Sequence, residues 1–276
     1  MVDLSQRVAL VAGASRGAGA AIAAVLGEAG ATVYVTGRST RAGARTEDLP
    51  GTIEDSAAEV DARGGRGIAI GCDHTDEAQV AALIARIAAG HGRLDLLVNN
   101  AWGGYEEHDG AAFTAPFWEQ PARRRWDAMF GSGVWPAMLT SHRAAPIMPA
   151  GGLIACTVAW AFGSYLGNAF YDAAKACLVR FAFGMARDLH DRGVTAVAIA
   201  PGFMRTERVM AVHERRPFDL GPTESPEYLG RAVAHLAADP ARLERSGELL
   251  TAGDLARAYG FTDVDGSRPE PFRLPG

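Results

Sequence analysis

Along the chain, short apolar runs rich in β-branched residues alternate with longer stretches whose apolar positions recur every three to four residues. RVALVA, residues 7–12, is uninterrupted and bounded by glycine, which reads as a strand buried on both faces. An alanine-rich helical pattern follows to about Ala29, and TVYVT, 32–36, is a second strand. The alternation continues through a helix over 53–62, the strand GIAIG at 67–71, a helix over 77–89 and the strand LDLLV at 94–98. Beyond these come a longer helical region from about Phe117, an apolar run at 153–157 and a helix bearing NAFYDAAKAC, 168–177. VTAVAIA at 194–200, a helix from about Pro226 and a last strand at 248–251 complete the series. This order predicts an α/β fold: one Rossmann-type, doubly wound parallel sheet of about seven strands, helices on both faces, spanning 1–276 as a single domain.

Three stretches lack a clear period: 38–52, 103–116 and 203–225. Each follows a strand, and ligands of doubly wound sheets sit beyond the carboxyl ends of strands, so these loops are expected to frame a site. Residues 203–225 are expected to act as a substrate lid, and 253–276 as a C-terminal extension. Its end, 265–276, carries three prolines and reads as a surface strap or an arm toward another subunit.

With 276 residues, 48% of them apolar, the chain can bury a sizeable core without a metal or disulfide. The net charge is −5, and Arg123, Arg124 and Arg125, the one basic run, read as a solvated helix start, so nucleic acid is not an expected partner. Cys72, Cys156 and Cys177 lie far apart and read as small buried side chains in a reducing compartment. No segment reaches the ~18 apolar residues of a membrane span, so a cytoplasmic protein without a membrane partner is expected. His91, His108, His142 and His190 show no ligand spacing, and no metal is expected.

GASRGAG, 13–19, sits between the first strand and the first helix, so free backbone N–H groups and the helix dipole face whatever lies there. Glycine permits the sharp turn and the close approach of a pyrophosphate, which favours a dinucleotide site. The same letters contain GxSxG, a hydrolase nucleophile elbow at Ser15, but neither His213 nor His235 follows a late strand as that chemistry requires. After the second strand stand Gly37 and Arg38 rather than a carboxylate. Arg38, with Arg16 from the glycine turn, suits a 2′-phosphate and points to NADP(H) over NAD(H).

Tyr171 and Lys175, four residues apart, share one helix face among small neighbours. An ammonium at about 4 Å stabilises a phenolate by ~4 kcal/mol at an effective dielectric near 20. That is nearly three pKa units, enough to bring a phenol into range for general acid–base work.

VAGASRGAG, Asp73 within CDHTD, NNA at 99–101, YDAAK at 171–175 and PGFMRT at 201–206 occur in this order, and together they resemble the short-chain dehydrogenase/reductase family over nearly the whole chain. DLARAYGFTDVDG, 254–266, further resembles one subgroup of it. The resemblance implies that Gly13, Ser15, Gly17, Gly19, Pro201 and Gly202 hold the cofactor, that Asp73 and His74 meet its adenine, and that Asn99 and Ala101 line it. It implies Tyr171 as acid/base, Lys175 also on the nicotinamide ribose, and Thr206 on the carboxamide. The family's serine, thirteen residues before the tyrosine, falls here on Val158; Thr157 aligns to it with one extra loop residue, and Ser164 is the fallback. The asparagine supporting a water relay is replaced by Gly133, and NNAG has become NNAW, placing Trp102 beside the site.

The expectation is therefore an NADP(H)-dependent carbonyl reductase or alcohol dehydrogenase acting on a small-molecule carbonyl or alcohol, medium-sized and hydrophobic, with Tyr171, Lys175 and Thr157 catalytic. The alternative is an NADPH-binding sensor or scaffold with weak catalysis. Trp102, Trp160, Phe162, Tyr165, Phe203 and Met204 are expected to form an apolar substrate pocket. The resemblance also implies a homodimer or homotetramer built on the helices of Trp126 and Tyr171.

Overall fold

The computed structural model describes residues 2–43, 45–46, 49–106, 113–160 and 163–272. In chain order the strands are β1 (Val8–Ala12), β2 (Thr32–Gly37), β3 (Arg66–Gly71), β4 (Leu96–Asn99), β5 (Leu153–Thr157) and β6 (Thr195–Ala200). The short β7 (Phe203–Met204) and β8 (Thr223–Glu224) precede β9 (Leu249–Thr251). The helices are α1 (Gly17–Glu28), α2 (Ile53–Ala62), α3 (Glu77–His91), α4 (Ala122–Trp126), α5 (Trp135–Ala144), α6 (Ala169–Leu189), α7 (Glu207–Arg215), α8 (Pro226–Ala238) and α9 (Ala252–Tyr259).

Seven strands form one parallel sheet in the order β3-β2-β1-β4-β5-β6-β9, while β7 and β8 pair apart from it. The order reverses between β1 and β4, and a crevice opens at the carboxyl ends of two strands at such a switch point. Register sets its floor: Ala12 lies opposite Thr36 on one side and Asn99 on the other, and Asn99 opposite Cys156. Helices α1 and α8 cover one face, burying Ile22, Leu26, Tyr228 and Leu229 against Val33, Val98 and Val197. On the other, Leu83, Ile87, Leu139 and Leu178 pack against Leu10, Leu97 and Ile154. Each such side chain contributes ~1.5–3 kcal/mol of burial.

Capping sorts the helices. Thr52, Asp76, Asn168 and Thr251 each accept a backbone N–H at the start of α2, α3, α6 and α9. Helix α1 starts at Arg16 with no side-chain cap and no acidic residue in its first turn. Its positive end therefore faces the crevice.

The structure departs from the sequence pattern in four places. β4 begins at Leu96 rather than Leu94, because the Asp95 carboxylate takes the Val8 N–H (2.9 Å). The helical region from Phe117 is broken: a 3₁₀ turn (Phe117–Glu119) precedes α4, and a π-helical segment (Asp127–Val134) joins α4 to α5. Residues 203–225 are not irregular but hold β7, α7 and β8. Arg125 is not solvated; α4 carries it inward, to 4% exposure. Cys72 and Cys156 are buried and Cys177 is half-buried, and burial pushes the Cys72 thiol up to about 12. The tail runs back over its own chain: Arg257 pairs with Glu270, and Tyr228 donates to the Pro269 carbonyl (3.2 Å).

Candidate active site

A cleft of about 770 Å³ opens at the carboxyl ends of β1, β4, β5 and β6. At one end lies the glycine turn. Gly13 has φ +75°, and a Cβ there would stand 2.5 Å from the Ala101 Cα. A Cβ on Gly19 would meet the Gly13 carbonyl at 2.1 Å and Asn100 Nδ2 at 2.6 Å. Gly19 is thus absent from the cleft wall but needed for the turn to seat on α1; Gly13, Ser15, Arg16 and Gly17 line the wall. Asn100 Nδ2 donates to the Gly13 carbonyl (2.9 Å), tying the loop after β4 to the turn.

Both anion-seeking groups of this end meet carboxylates. The Gly17 N–H donates to Glu207 Oε1 (3.2 Å), bringing the start of α7 onto the start of α1. Arg38, at the end of β2, is paired with Glu106. Arg16 reaches across to the Pro50 and Thr46 carbonyls (both 3.0 Å) and Ser39 Oγ (2.8 Å), bracing the loop beside Arg38. Asp73 lines the wall and accepts from the Thr75 N–H (2.9 Å) and hydroxyl (2.8 Å). His74 also borders the cleft, but its Nε2 bonds Thr36 Oγ1 (2.8 Å) and its Nδ1 bonds Thr140 Oγ1 (2.9 Å). Complete burial lowers His74 to about 4, and the ring is held neutral. The Asn99 amide points into the protein, donating to Ser141 Oγ (2.8 Å) and toward Cys156 Sγ (3.7 Å). Asn99 and Ala101 both border the cleft.

At the other end, Asn168 orients the start of α6. Its Oδ1 accepts the Tyr171 N–H (2.9 Å), and its Nδ2 donates to the Phe113 carbonyl (2.7 Å) and Gln120 Oε1 (3.0 Å). The Tyr171 ring lies among aromatics: Trp102 at 5.5 Å and Phe113 at 5.6 Å edge-on, Tyr105 at 5.9 Å stacked. The Tyr105 side chain, stacked on it, opposes its ionisation. Lys175 Nζ sits 3.4 Å over the Trp102 ring and 5.4 Å from the Tyr171 ring centre. The lowered phenol expected from the sequence is corrected here. Burial first, and the Tyr105 hydroxyl second, hold Tyr171 well above its ordinary value. Burial also lowers Lys175 to about 7, with Cys156 opposing. The physical reason is that a dry site penalises both charged forms, while the ammonium is placed against the indole.

Trp102 fits because two glycines make room. A Cβ on Gly133 would lie 2.5 Å from its Cζ3, and one on Gly104 2.6 Å from its Cζ2. The π-helical segment frees the Ser132 carbonyl to accept the Gly103 N–H (2.8 Å), drawing the NNAW loop onto that helix.

Thr157 lines the cleft, and its hydroxyl donates to Asn100 Oδ1 (3.1 Å) and the Asn99 carbonyl (3.3 Å). Val158 is buried, and the fallback Ser164 is exposed and off the wall. Pro201, Gly202, Phe203, Met204 and Thr206 close the lower side, where Thr206 caps α7 by accepting from the Val209 N–H (3.4 Å). A Cβ on Gly202 would lie 2.6 Å from Glu224 Oε2, and burial raises Glu224 to about 7. Trp160 and Tyr165 are on the wall, as is Phe272 from the tail; Phe162 and His108 lie outside the described residues. Sequence reasoning missed Asn100, Tyr105, Glu106, Asn168 and Glu207. Of these, Asn168 carried a readable signal, an asparagine immediately before a helix.

Comparison with known proteins accords with this geometry. The family model described as short chain dehydrogenase matches residues 7–217. Dehydrogenase/reductase SDR family member 1 of Mus musculus is 37% identical over 280 residues, covering 96% of this chain and 86% of the relative. The 3-oxoacyl-[acyl-carrier-protein] reductase FabG of Escherichia coli K12 is 30% identical, covering 87% and 93%. A short chain dehydrogenase from Mycobacterium thermoresistibile superposes with a TM-score of 0.80 at 25% identity, covering 98% and 97%. One from Burkholderia cenocepacia, crystallised with NADP, gives 0.70 at 30% identity, covering 89% and 95%. With its sheet order, its glycine turn and its tyrosine–lysine pair in one cleft, the chain belongs to the short-chain dehydrogenase family.

Proposed function

We propose that the protein is an NADP(H)-dependent oxidoreductase that interconverts a small apolar carbonyl compound and its alcohol, with residues 1–276 working as one NAD(P)-binding domain. The observation that carries this reading is that Tyr171 and Lys175 share one cleft with the start of α1, whose N-cap residue Arg16 makes no side-chain cap. The residues fit a dinucleotide. The glycine turn packs against Ala101 and its own carbonyl too closely for any Cβ, which keeps its backbone at the cleft wall, and the Glu207 carboxylate on the Gly17 N–H is an anion where a pyrophosphate would sit. Gly13, Ser15 and Gly17 would hold that pyrophosphate, Arg38 and Arg16 a 2′-phosphate, Asp73 the adenine, Ala101 the ribose and Thr206 the carboxamide.

When bound, a nicotinamide supplies the hydride. The chain's own residues handle the proton and the substrate. Tyr171 gives its hydroxyl proton to the substrate oxygen in reduction and takes it back in oxidation. Lys175, when protonated, stabilises the phenolate left behind. Thr157 steadies the oxygen, Asn168 fixes the tyrosine's position, and Trp102, Trp160, Tyr165, Phe203 and Met204 keep the reacting end apolar and dry. The region 203–225 closes over it as a lid. A sensor or scaffold role is not favoured, because the tyrosine and lysine are both present and both line the cleft.

Exposed Trp118 (72%) and Trp126 (52%) beside α4 support a homodimer or homotetramer through that side. No described helix is long and apolar enough to cross a membrane, in keeping with a cytoplasmic enzyme. The test is NADPH consumption with a panel of ketones and aldehydes. Turnover should fall at least a hundredfold in Tyr171→Phe and in Lys175→Met, with NADPH binding retained in Tyr171→Phe. Equal rates in wild type and Tyr171→Phe would refute it.

A further inference from the structure

The stretch DLARAYGFTDVDG, 254–266, has no part in the chemistry above, and none of its residues lines the cleft. It is nevertheless built around a carboxylate that solvent hardly reaches, for Asp263 is 2% exposed. Its turn is closed by backbone bonds: the Asp263 N–H donates to the Ser267 carbonyl (2.8 Å), and the Gly266 N–H to the Asp263 carbonyl (3.1 Å). Arg231 of α8 braces the turn, donating to the Thr262 (2.6 Å) and Asp263 (3.1 Å) carbonyls.

A buried carboxylate must have its charge and lone pairs met. Here the partners lie at the two roots of the 203–225 region. At the exit root, Oδ2 accepts the Ser225 N–H (2.8 Å), and Oδ1 accepts the Ser225 hydroxyl together with the Val264 N–H (2.7 Å). Ser225 is the residue before α8 and makes no side-chain cap there, its hydroxyl being turned to Asp263 instead. At the entry root, Arg205 Nη2 stands 3.6 Å from Asp263 Oδ2 and 3.9 Å from Asp265 Oδ2. Arg205 Nη1 then crosses to β8, donating to the Thr223 carbonyl (3.0 Å) and hydroxyl (2.9 Å), while its N–H donates to the Glu224 carbonyl (2.8 Å). β7 and β8 are two residues each and pair with one another alone, a ladder too short to hold two roots together unaided. Between the roots runs α7, which buries none of its residues.

We propose that Asp263 and Arg205 are positioning residues of this chain: the C-terminal extension clasps both roots of the lid through one carboxylate and one guanidinium, so that Phe203, Met204 and Thr206 already stand at the cleft wall before cofactor enters and closure is confined to α7. The proposal rests on the NADPH-dependent reading above. Neither side chain lines the cleft, so each acts through the backbone it holds.

Arg205→Ala opens the clasp at a side chain that is 25% exposed and leaves the Ser225 bonds of Asp263 in place. The NADPH dissociation constant from fluorescence titration and KM for a ketone should each rise on the order of tenfold, with kcat within about threefold of wild type, because Tyr171, Lys175 and Thr157 are not displaced. Arg205→Lys restores a cation to Asp263 but cannot also span Thr223, and should recover part of the loss. Asp263→Asn should reproduce the defect of Arg205→Ala, and the double variant should be little worse than either. Hydrogen exchange read by mass spectrometry should find 203–206 and 223–225 protected relative to α7 in the cofactor-free wild type, and unprotected in Arg205→Ala until NADPH is added. Wild-type affinity, KM and root protection in Arg205→Ala would overturn the clasp. So would a loss shared equally by kcat and exchange protection throughout the sheet, which is the mark of general destabilisation. The exchange pattern of the cofactor-free protein reads the clasp by itself, whereas a wild-type protein that binds no NADPH and reduces no carbonyl would overturn the functional reading on which its purpose depends.

Discussion

Gly133→Ala probes the fit between the NNAW loop and the π-helical segment, and its outcome depends on which of two opposed terms is larger. Alanine in a helical position is favoured over glycine by about 0.5–1 kcal/mol. Against this, the added Cβ would stand 2.5, 2.8 and 3.0 Å from Cζ3, Cε3 and Cη2 of Trp102. Those atoms belong to a rigid ring, not to the far end of a flexible chain. The ring is itself held by Gly104 on one edge, Lys175 at 3.4 Å over its face and Tyr171 at 5.5 Å. Overpacking of this kind costs about 1–3 kcal/mol. The net is a destabilisation of about 1–2 kcal/mol, or roughly 2–8 °C in Tm for a domain of this size. In a Trp102→Ala background the clash is gone and propensity alone remains, so the same substitution should stabilise by about 0.5–1 kcal/mol. Thermal and urea denaturation of the four proteins, followed by circular dichroism, gives the coupling energy directly. Equal destabilisation by Gly133→Ala in both backgrounds would refute the idea that Trp102 occupies the space the glycine leaves.

Arg38→Asp exchanges a phosphate-binding cation for a ribose-binding carboxylate and should weaken NADPH roughly ten- to hundredfold while improving NADH. Fluorescence titration with both cofactors checks it, and retained NADPH preference would discredit the assignment. Glu207→Gln removes a carboxylate from the Gly17 N–H, so NADPH should bind about two- to fivefold tighter at low salt; the group is exposed and screening limits the gain. Unchanged or weaker affinity would mean that Glu207 does not compete with the pyrophosphate. His74 is depressed from 6.5 to about 4 in the folded protein, so its neutral burial supports the fold above pH 6.5 and loses that support as pH falls to 4. The loss, on the order of 3 kcal/mol, should appear in denaturant titrations at pH 7 and pH 4.5 and be flattened in His74→Gln.

What the sequence disclosed was whatever is local. The succession of strands and helices along the chain follows from alternating periods, because a strand buried on both faces and a helix buried on one write different patterns over a few residues; which strands lie side by side in the sheet does not. Gly13 and Gly19 were readable for the same reason: a turn from β1 into α1 demands them within seven residues. The corrections fall where a distant partner decides. Asp95 shortens β4 by capturing the Val8 N–H, 87 residues away. Arg125 looks solvated in an arginine run until helix packing turns it inward.

The site shows the same division more sharply, and it explains why the chemistry of the phenol was misjudged. Tyr171 and Lys175 are one helical turn apart, so their pairing is visible in the chain, and a simple Coulomb estimate then predicts an acidic phenol. That estimate treats the lysine as charged and the tyrosine as free. In the fold each is instead set by residues tens of positions away: Trp102 takes the ammonium's face, Tyr105 stacks on the phenol and opposes its ionisation, and burial disfavours charge on both. Even the departure noticed in the sequence, glycine where a relay asparagine was expected, gains its meaning only when Gly133 is found beneath the indole of NNAW. The two changes are then one. An aromatic ring that needs that space cannot coexist with a side chain at 133, so the tryptophan after NNA and the glycine on the helix stand or fall together.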